Sequence, residues 1–114
     1  MPMMTQGNNM RVIEPILAWY NGAETEGTVL SLQCNSDNLF NQASFNYSIF
    51  STSEPTTGQE YGYLQATLVQ GYLTMTGAEY EAWQTNDYAF EWAAGKLNLT
   101  LVGPYVPPSP NPMP

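Results

Sequence analysis

Histidine is missing from this chain, cysteine occurs once, and lysine plus arginine occur only twice in 114 residues. Each shortage removes a class of activity. Without histidine there is no Ser–His–Asp triad, no Cys–His pair and no imidazole-ligated metal centre. The single Cys34 cannot close an internal disulfide, and in the alternating run TVLSLQC it reads as a small buried hydrophobe beside Leu30 and Leu32. Arg11 and Lys96 are too few to give the basic footprint that releases counterions from DNA or RNA, so no nucleic-acid partner is expected. No apolar run is long enough to span a membrane as a helix. The start, MPMMTQGNNMR, lacks the apolar core of a secretion signal, so synthesis in the cytoplasm is expected.

What is present is polar but weakly charged. Charged residues make up 11% and apolar residues 43%, and the net charge is −8. Apolar content of that size supports one modest core in one domain. The polar remainder comes mostly from Asn, Gln, Ser, Thr and Tyr, whose short or rigid side chains lose little entropy when ordered against another molecule. The carboxylates are too scattered to mimic a phosphate backbone. TTGQEYG lacks the lysine and the strand–loop–helix setting of a phosphate loop, and NSDN is poor in carboxylates for calcium. A carboxylate pair drawn from Glu79, Glu81, Asp87 and Glu91 could in principle hydrolyse glycosides, but nothing sets two of them across a cleft. The expectation is a protein without enzymatic activity, cofactor or metal.

Along the chain the dominant period is two, the signature of strands. Residues 1–9 read as a flexible arm, 10–103 as a single β-rich domain, and 104–114, PYVPPSPNPMP, as an extended proline-rich arm. In RVIEPILAWYNG the set Ile13, Leu17 and Trp19 faces one way, with Pro15 marking an edge or a bulge. Asn21-Gly22 signals a turn. Leu30, Leu32 and Cys34 share a face, as do Phe45, Tyr47 and Ile49. NSDNLFNQ and TSEPTTGQE read as loops. YLQATLV points Leu64, Ala66 and Leu68 inward, and after a turn near Gln70-Gly71, YLTM points Leu73 and Met75 inward.

The stretch TGAEYEAWQTNDYAFEWAAGKLNLTL carries two Trp, two Tyr, a Phe and four carboxylates. Thr76 with Glu79 fits a capping box opening a short helix over about 77–83. Asn86 or Asp87 caps a second helix over about 87–94, and Gly95 stops it. Ala89 and Ala93 centre its apolar face between Trp92, Tyr88 and Phe90. KLNLTLV then alternates, with Leu97, Leu99 and Leu101 inward. Strands followed by helices and a last strand give an α+β fold that is mainly antiparallel β, a compact sheet or sandwich with short helices packed on it.

The block LTMTGAEYEAW…DYAFEWAAGKLNLTLV, the lysine-poor surface and the terminal arms resemble small accessory structural proteins of tailed bacteriophage particles. The resemblance implies a virion protein that decorates or cements the capsid, or sits at the neck or tail. It implies other virion proteins as partners, such as the major capsid protein or neighbouring copies, with homo-oligomeric or lattice-bound organisation. The candidate interface residues are Tyr61, Tyr63, Tyr72, Tyr80, Trp83, Tyr105, Pro107 and Pro108. A second reading is a carbohydrate-binding module in which exposed tyrosines stack on sugar rings while amides take the hydroxyls. A third is an acidic inhibitor matching a basic cleft.

Overall fold

The computed structural model describes residues 10–55 and 62–105. The N-terminal arm, Tyr61, Pro107 and Pro108 lie outside the described residues. The fold is α+β and mainly antiparallel β. Strands β1 (Met10–Tyr20), β2 (Ala23–Asp37), β3 (Gln42–Thr52) and β4 (Leu64–Thr76) form a meander. Helices α1 (Gly77–Ala82) and α2 (Asn86–Leu97) follow, and β5 (Leu101–Pro104) closes the chain of elements. The sheet order is β4-β3-β2-β1-β5. Since β5 pairs with β1 at the side opposite β4, the two helices must cross the sheet to bring the chain there.

The helices cover one face, and the alternation of the strands supplies that face. Leu30 and Leu32, Ala43, Phe45 and Ile49, and Met75 are buried against Tyr80, Trp83, Ala89, Phe90 and Ala93. Phe45 sits at the middle, with its ring centroid 5.2 Å from Trp83 and 5.4 Å from Trp92. Three large rings of this kind each bury roughly 150–250 Å², so this cluster dominates the apolar driving force. Ala89 and Ala93 are fully buried, and their small side chains let α2 approach the sheet closely. Arg11 seals the rim: its guanidinium lies 4.2 Å from the Phe90 ring centre and 3.0 Å from Asp87 Oδ1.

Several local expectations are corrected. Beyond Pro15 the register of β1 against β2 shifts between Val12 and Ile16. Ile13 is buried while Leu17 and Trp19 are exposed, on the hairpin end of β1. β4 runs unbroken through Gln70-Gly71, where a turn is expected. The glycine leaves room for the Tyr47 ring that lies across it: a Cβ on Gly71 would stand 2.5 Å from the Tyr47 hydroxyl, and the ring would have to shift. Thr85 caps α2, accepting a bond from Tyr88 N at 3.1 Å, in place of Asn86 or Asp87. Thr76 precedes α1 without a side-chain capping bond. Glu79 instead pairs with Lys96 Nζ at 3.2 Å, across to α2. Asn98, in the left-handed region at φ 59°, ends α2, and Gly95 lies within the helix. Leu97, Leu99 and Leu101 do pack on the core, but as helix end, loop and strand start.

Candidate binding surfaces

Three of the expected contact residues belong to the architecture. Trp83 is fully buried against Phe45, so its ring has no surface to offer. Tyr80 is buried as well, and its hydroxyl donates to Asp37 Oδ1 at 2.7 Å. Burial, and then the hydrogen bond to Asp37, push the Tyr80 phenol up to about 12. Tyr105 is buried at the start of the C-terminal arm, donating to the Gly62 carbonyl at 2.7 Å. Burial also raises its phenol pKa. In each case a tyrosine that composition marks as a contact residue spends its hydroxyl on an internal acceptor. Tyr63 and Tyr72 are exposed but lie far apart along the chain, Tyr63 just before β4 and Tyr72 within it.

Tyr72 belongs to the sheet face that the helices leave open. Cross-strand register builds that face as rows of opposed side chains. Gln33 stands opposite Asn46, which stands opposite Tyr72. On one side is the row Ser31, Ser48 and Gln70, and on the other Ser36, Ser44 and Thr74. None of these side chains carries a formal charge at neutral pH. A shallow cavity of about 370 Å³ lies over the first two rows. Asn46 Oδ1 is buried there and has no hydrogen-bond partner among the described residues. Tyr72 stands 75% exposed at the edge of the cavity.

Two apolar surfaces were not marked by composition. Leu17 is 64% and Trp19 72% exposed, opposite Glu26 and Glu24 on the β1–β2 hairpin. Leu39 and Phe40 are 76% and 78% exposed in the β2–β3 turn. That turn is tightly held: Asn38 Oδ1 accepts from the amides of Phe40, Asn41 and Gln42, and Asp37 Oδ1 accepts from Leu39 N. Leu39 sits at φ 60°, an unusual conformation for a leucine, so this turn displays two large apolar side chains at some backbone cost. Because β1–β2 and β2–β3 are consecutive meander turns, the two apolar patches lie at opposite ends of the strands. The signal for the first was Pro15, which marks the bulge. For the second it was the Asx-type side chain of Asn38.

An apolar groove of about 320 Å³ lies beside Tyr105, with Val12, Pro15, Val29, Pro55 and Val102 in its walls. Cys34 is half-buried, and burial followed by the charge of Asp37 pushes its thiol pKa up, away from the reactive thiolate. Among the described residues no group of three or more His, Cys, Asp or Glu stands close enough to hold a metal ion. Among them, too, no helix is long and apolar enough to cross a membrane. No protein family matches the chain, and comparison with curated proteins and with solved structures finds no match.

Proposed function

We propose that this chain is a non-enzymatic structural subunit of a larger protein assembly, and that decoration or cementing of a virion shell is its particular form. The observation that carries the reading is the pair of exposed apolar patches, Leu17 with Trp19 and Leu39 with Phe40, at opposite ends of the strands. Large apolar side chains held out on ordered hairpins are typical of surfaces that a partner covers. Two such patches at opposite ends fit a subunit that meets neighbours on two sides, as in a lattice, better than a single self-complementary dimer contact. The partners are then neighbouring copies or the shell protein beneath them.

The test is particle incorporation. Purified particles from the source are analysed by quantitative mass spectrometry, and recombinant chain is rebound to particles lacking it. Hundreds of copies per particle support a shell position, and about a dozen or fewer support the neck or tail. Trp19→Ser and Phe40→Ser are expected to weaken rebinding while leaving the circular dichroism spectrum unchanged. Absence of the chain from particles overturns the virion form of the proposal. Rebinding that is indifferent to both substitutions overturns the role of the patches.

A further inference from the structure

We infer that the open face of the sheet is a binding site for a neutral oligosaccharide, centred on Tyr72, Asn46 and Gln33. The geometry points there for three reasons. First, the two rows Gln33–Asn46–Tyr72 and Ser31–Ser48–Gln70 cross three adjacent strands in register. Neighbouring strands are about 4.8 Å apart, and rows two residues apart along a strand are separated by roughly 6.6–6.8 Å. Six side chains therefore form a fixed grid on a rigid sheet rather than on mobile loops. Three of them are primary amides, two are serines and one is a tyrosine, all with groups that can both donate and accept. A sugar ring presents hydroxyls that also do both, so such a grid can satisfy them in pairs.

Second, the grid ends in an aromatic plate. Tyr72 is 75% exposed and borders the cavity of about 370 Å³ above the rows. A ring edge or face on Tyr72 would shed water from the apolar C–H side of a sugar while the amides hold its hydroxyls. Third, Asn46 Oδ1 is a buried acceptor with no protein partner among the described residues, on the middle strand of that grid. Because that atom is buried in the free protein, a ligand hydroxyl would complete its bond once the Asn46 amide turns toward the cavity.

The charge pattern selects among ligands. The chain carries a net charge of −8, yet the grid itself is uncharged. An anionic polymer would be repelled by the whole molecule, and a basic one would find no carboxylate in the grid to pair with. A protein partner is poorly served as well, because interface cores rest on buried apolar anchors and the two rows provide one aromatic side chain. A neutral polyhydroxylated chain meets the face without either cost. This site is separate from the Leu17–Trp19 and Leu39–Phe40 patches and stands independently of the assembly proposal.

The experiment is binding of the full chain to an array of neutral hexose and N-acetylhexosamine oligomers, with heparin as the anionic control, followed by calorimetric titration of the strongest hit. Binding to at least one neutral oligomer and not to heparin is expected. Tyr72→Ala, on an exposed position, should weaken that binding about tenfold or more, a loss of ~1.4 kcal/mol or more. Gln33→Ala and Gln70→Ala should each weaken it severalfold. Trp19→Ser should leave it unchanged, which separates this site from the assembly surface. No binding to any neutral oligomer, preference for heparin, or affinity indifferent to Tyr72→Ala would each overturn the inference.

Discussion

Phe45→Ala is the perturbation that most directly tests how the helices are fastened to the sheet. Phe45 is fully buried, sits on the central part of β3 and touches both tryptophans of the helical segment, at 5.2 and 5.4 Å between ring centres. Removing a buried phenylalanine to alanine costs about 3–5 kcal/mol, through lost transfer energy and the cavity left behind. The two ring–ring contacts place this site toward the upper end, since such pairs add roughly 0.5–1.5 kcal/mol beyond area burial. Domains of this size have about 5–15 kcal/mol of stability in all, so a loss of about 4 kcal/mol removes roughly a quarter or more of it. With a urea slope of about 1–3 kcal/mol/M, a 4 kcal/mol loss moves the midpoint by roughly 1.3–4 M. The thermal midpoint should fall by about 15–30 °C. Urea unfolding followed by tryptophan fluorescence reads the effect, and near-UV circular dichroism reports the altered surroundings of Trp83 and Trp92. Phe45→Leu, which keeps most of the volume, should cost less than about 1.5 kcal/mol. A loss below about 1 kcal/mol for Phe45→Ala would refute the packing of the helices on β3.

Thr85→Ala should cost about 1 kcal/mol by removing the cap on Tyr88 N, whereas Thr76→Ala, with no capping bond to lose, should cost less than about 0.5 kcal/mol; urea midpoints of the two variants decide the ranking. Gly62→Ala places a Cβ against the Ser53 backbone carbonyl, a group that cannot swing away, and should destabilise by at least about 1–3 kcal/mol in the same assay. Tyr80 makes stability fall at high pH: its phenol loses a proton near 10 when unfolded but near 12 when folded, so the contribution is complete below pH ~10 and is lost as pH rises toward 12. Urea midpoints measured from pH 8 to 12 should show that decline, and Tyr80→Phe should make it shallower, leaving the part that Cys34 and Tyr105 contribute. An unchanged alkaline slope in the variant would assign the decline to other groups.

What could be read from residues alone was whatever local pattern decides. Alternation placed Leu30, Leu32, Phe45, Ile49 and Met75 on the covered face, and the helical spacing of Ala89 and Ala93 placed them at the sheet. The α+β class followed from the order of those patterns. The helix ends were less legible, because Thr85, Asn86 and Asp87 are all good caps and only tertiary placement selects among them. Gly95 looked like a terminator, yet Asn98 also tolerates the left-handed region and sits where the chain must turn to β5. Of the candidate surface, Tyr72 was legible as an aromatic on a polar strand face. Its partners Gln33 and Asn46 were not, since they come from other strands and meet it only through register. Tyr80 and Trp83 misled for a related reason: amphipathic rings suit a core as well as an interface when an internal acceptor such as Asp37 is within reach.

The sheet irregularities explain why the two proposed surfaces can be separate. The shift in β1 lies between Val12 and Ile16, and Val12 is opposite Val29, which is opposite Phe50. The shifts between β3 and β4 flank that same Phe50. These breaks fall along one row crossing four strands, a further shift lying between Cys34 and Ser36 at the other end of β2, and bulges increase local twist and bend a strand. On one side of this row the sheet carries the helices and the uncharged grid around Tyr72. On the other, the β1–β2 hairpin projects Leu17 and Trp19 into solvent. Apolar Val12, Val29 and Phe50 occupy the row itself and divide a polar region from the hairpin. Substitutions at Trp19 and Tyr72 share no neighbour across this bend, so their effects on assembly and on oligosaccharide binding should add rather than couple. The double variant Trp19→Ser/Tyr72→Ala, assayed for particle rebinding and for calorimetric binding, should reproduce each single loss within about 0.5 kcal/mol. A larger departure would mean that the row transmits between the two surfaces and that the sheet acts as one interface.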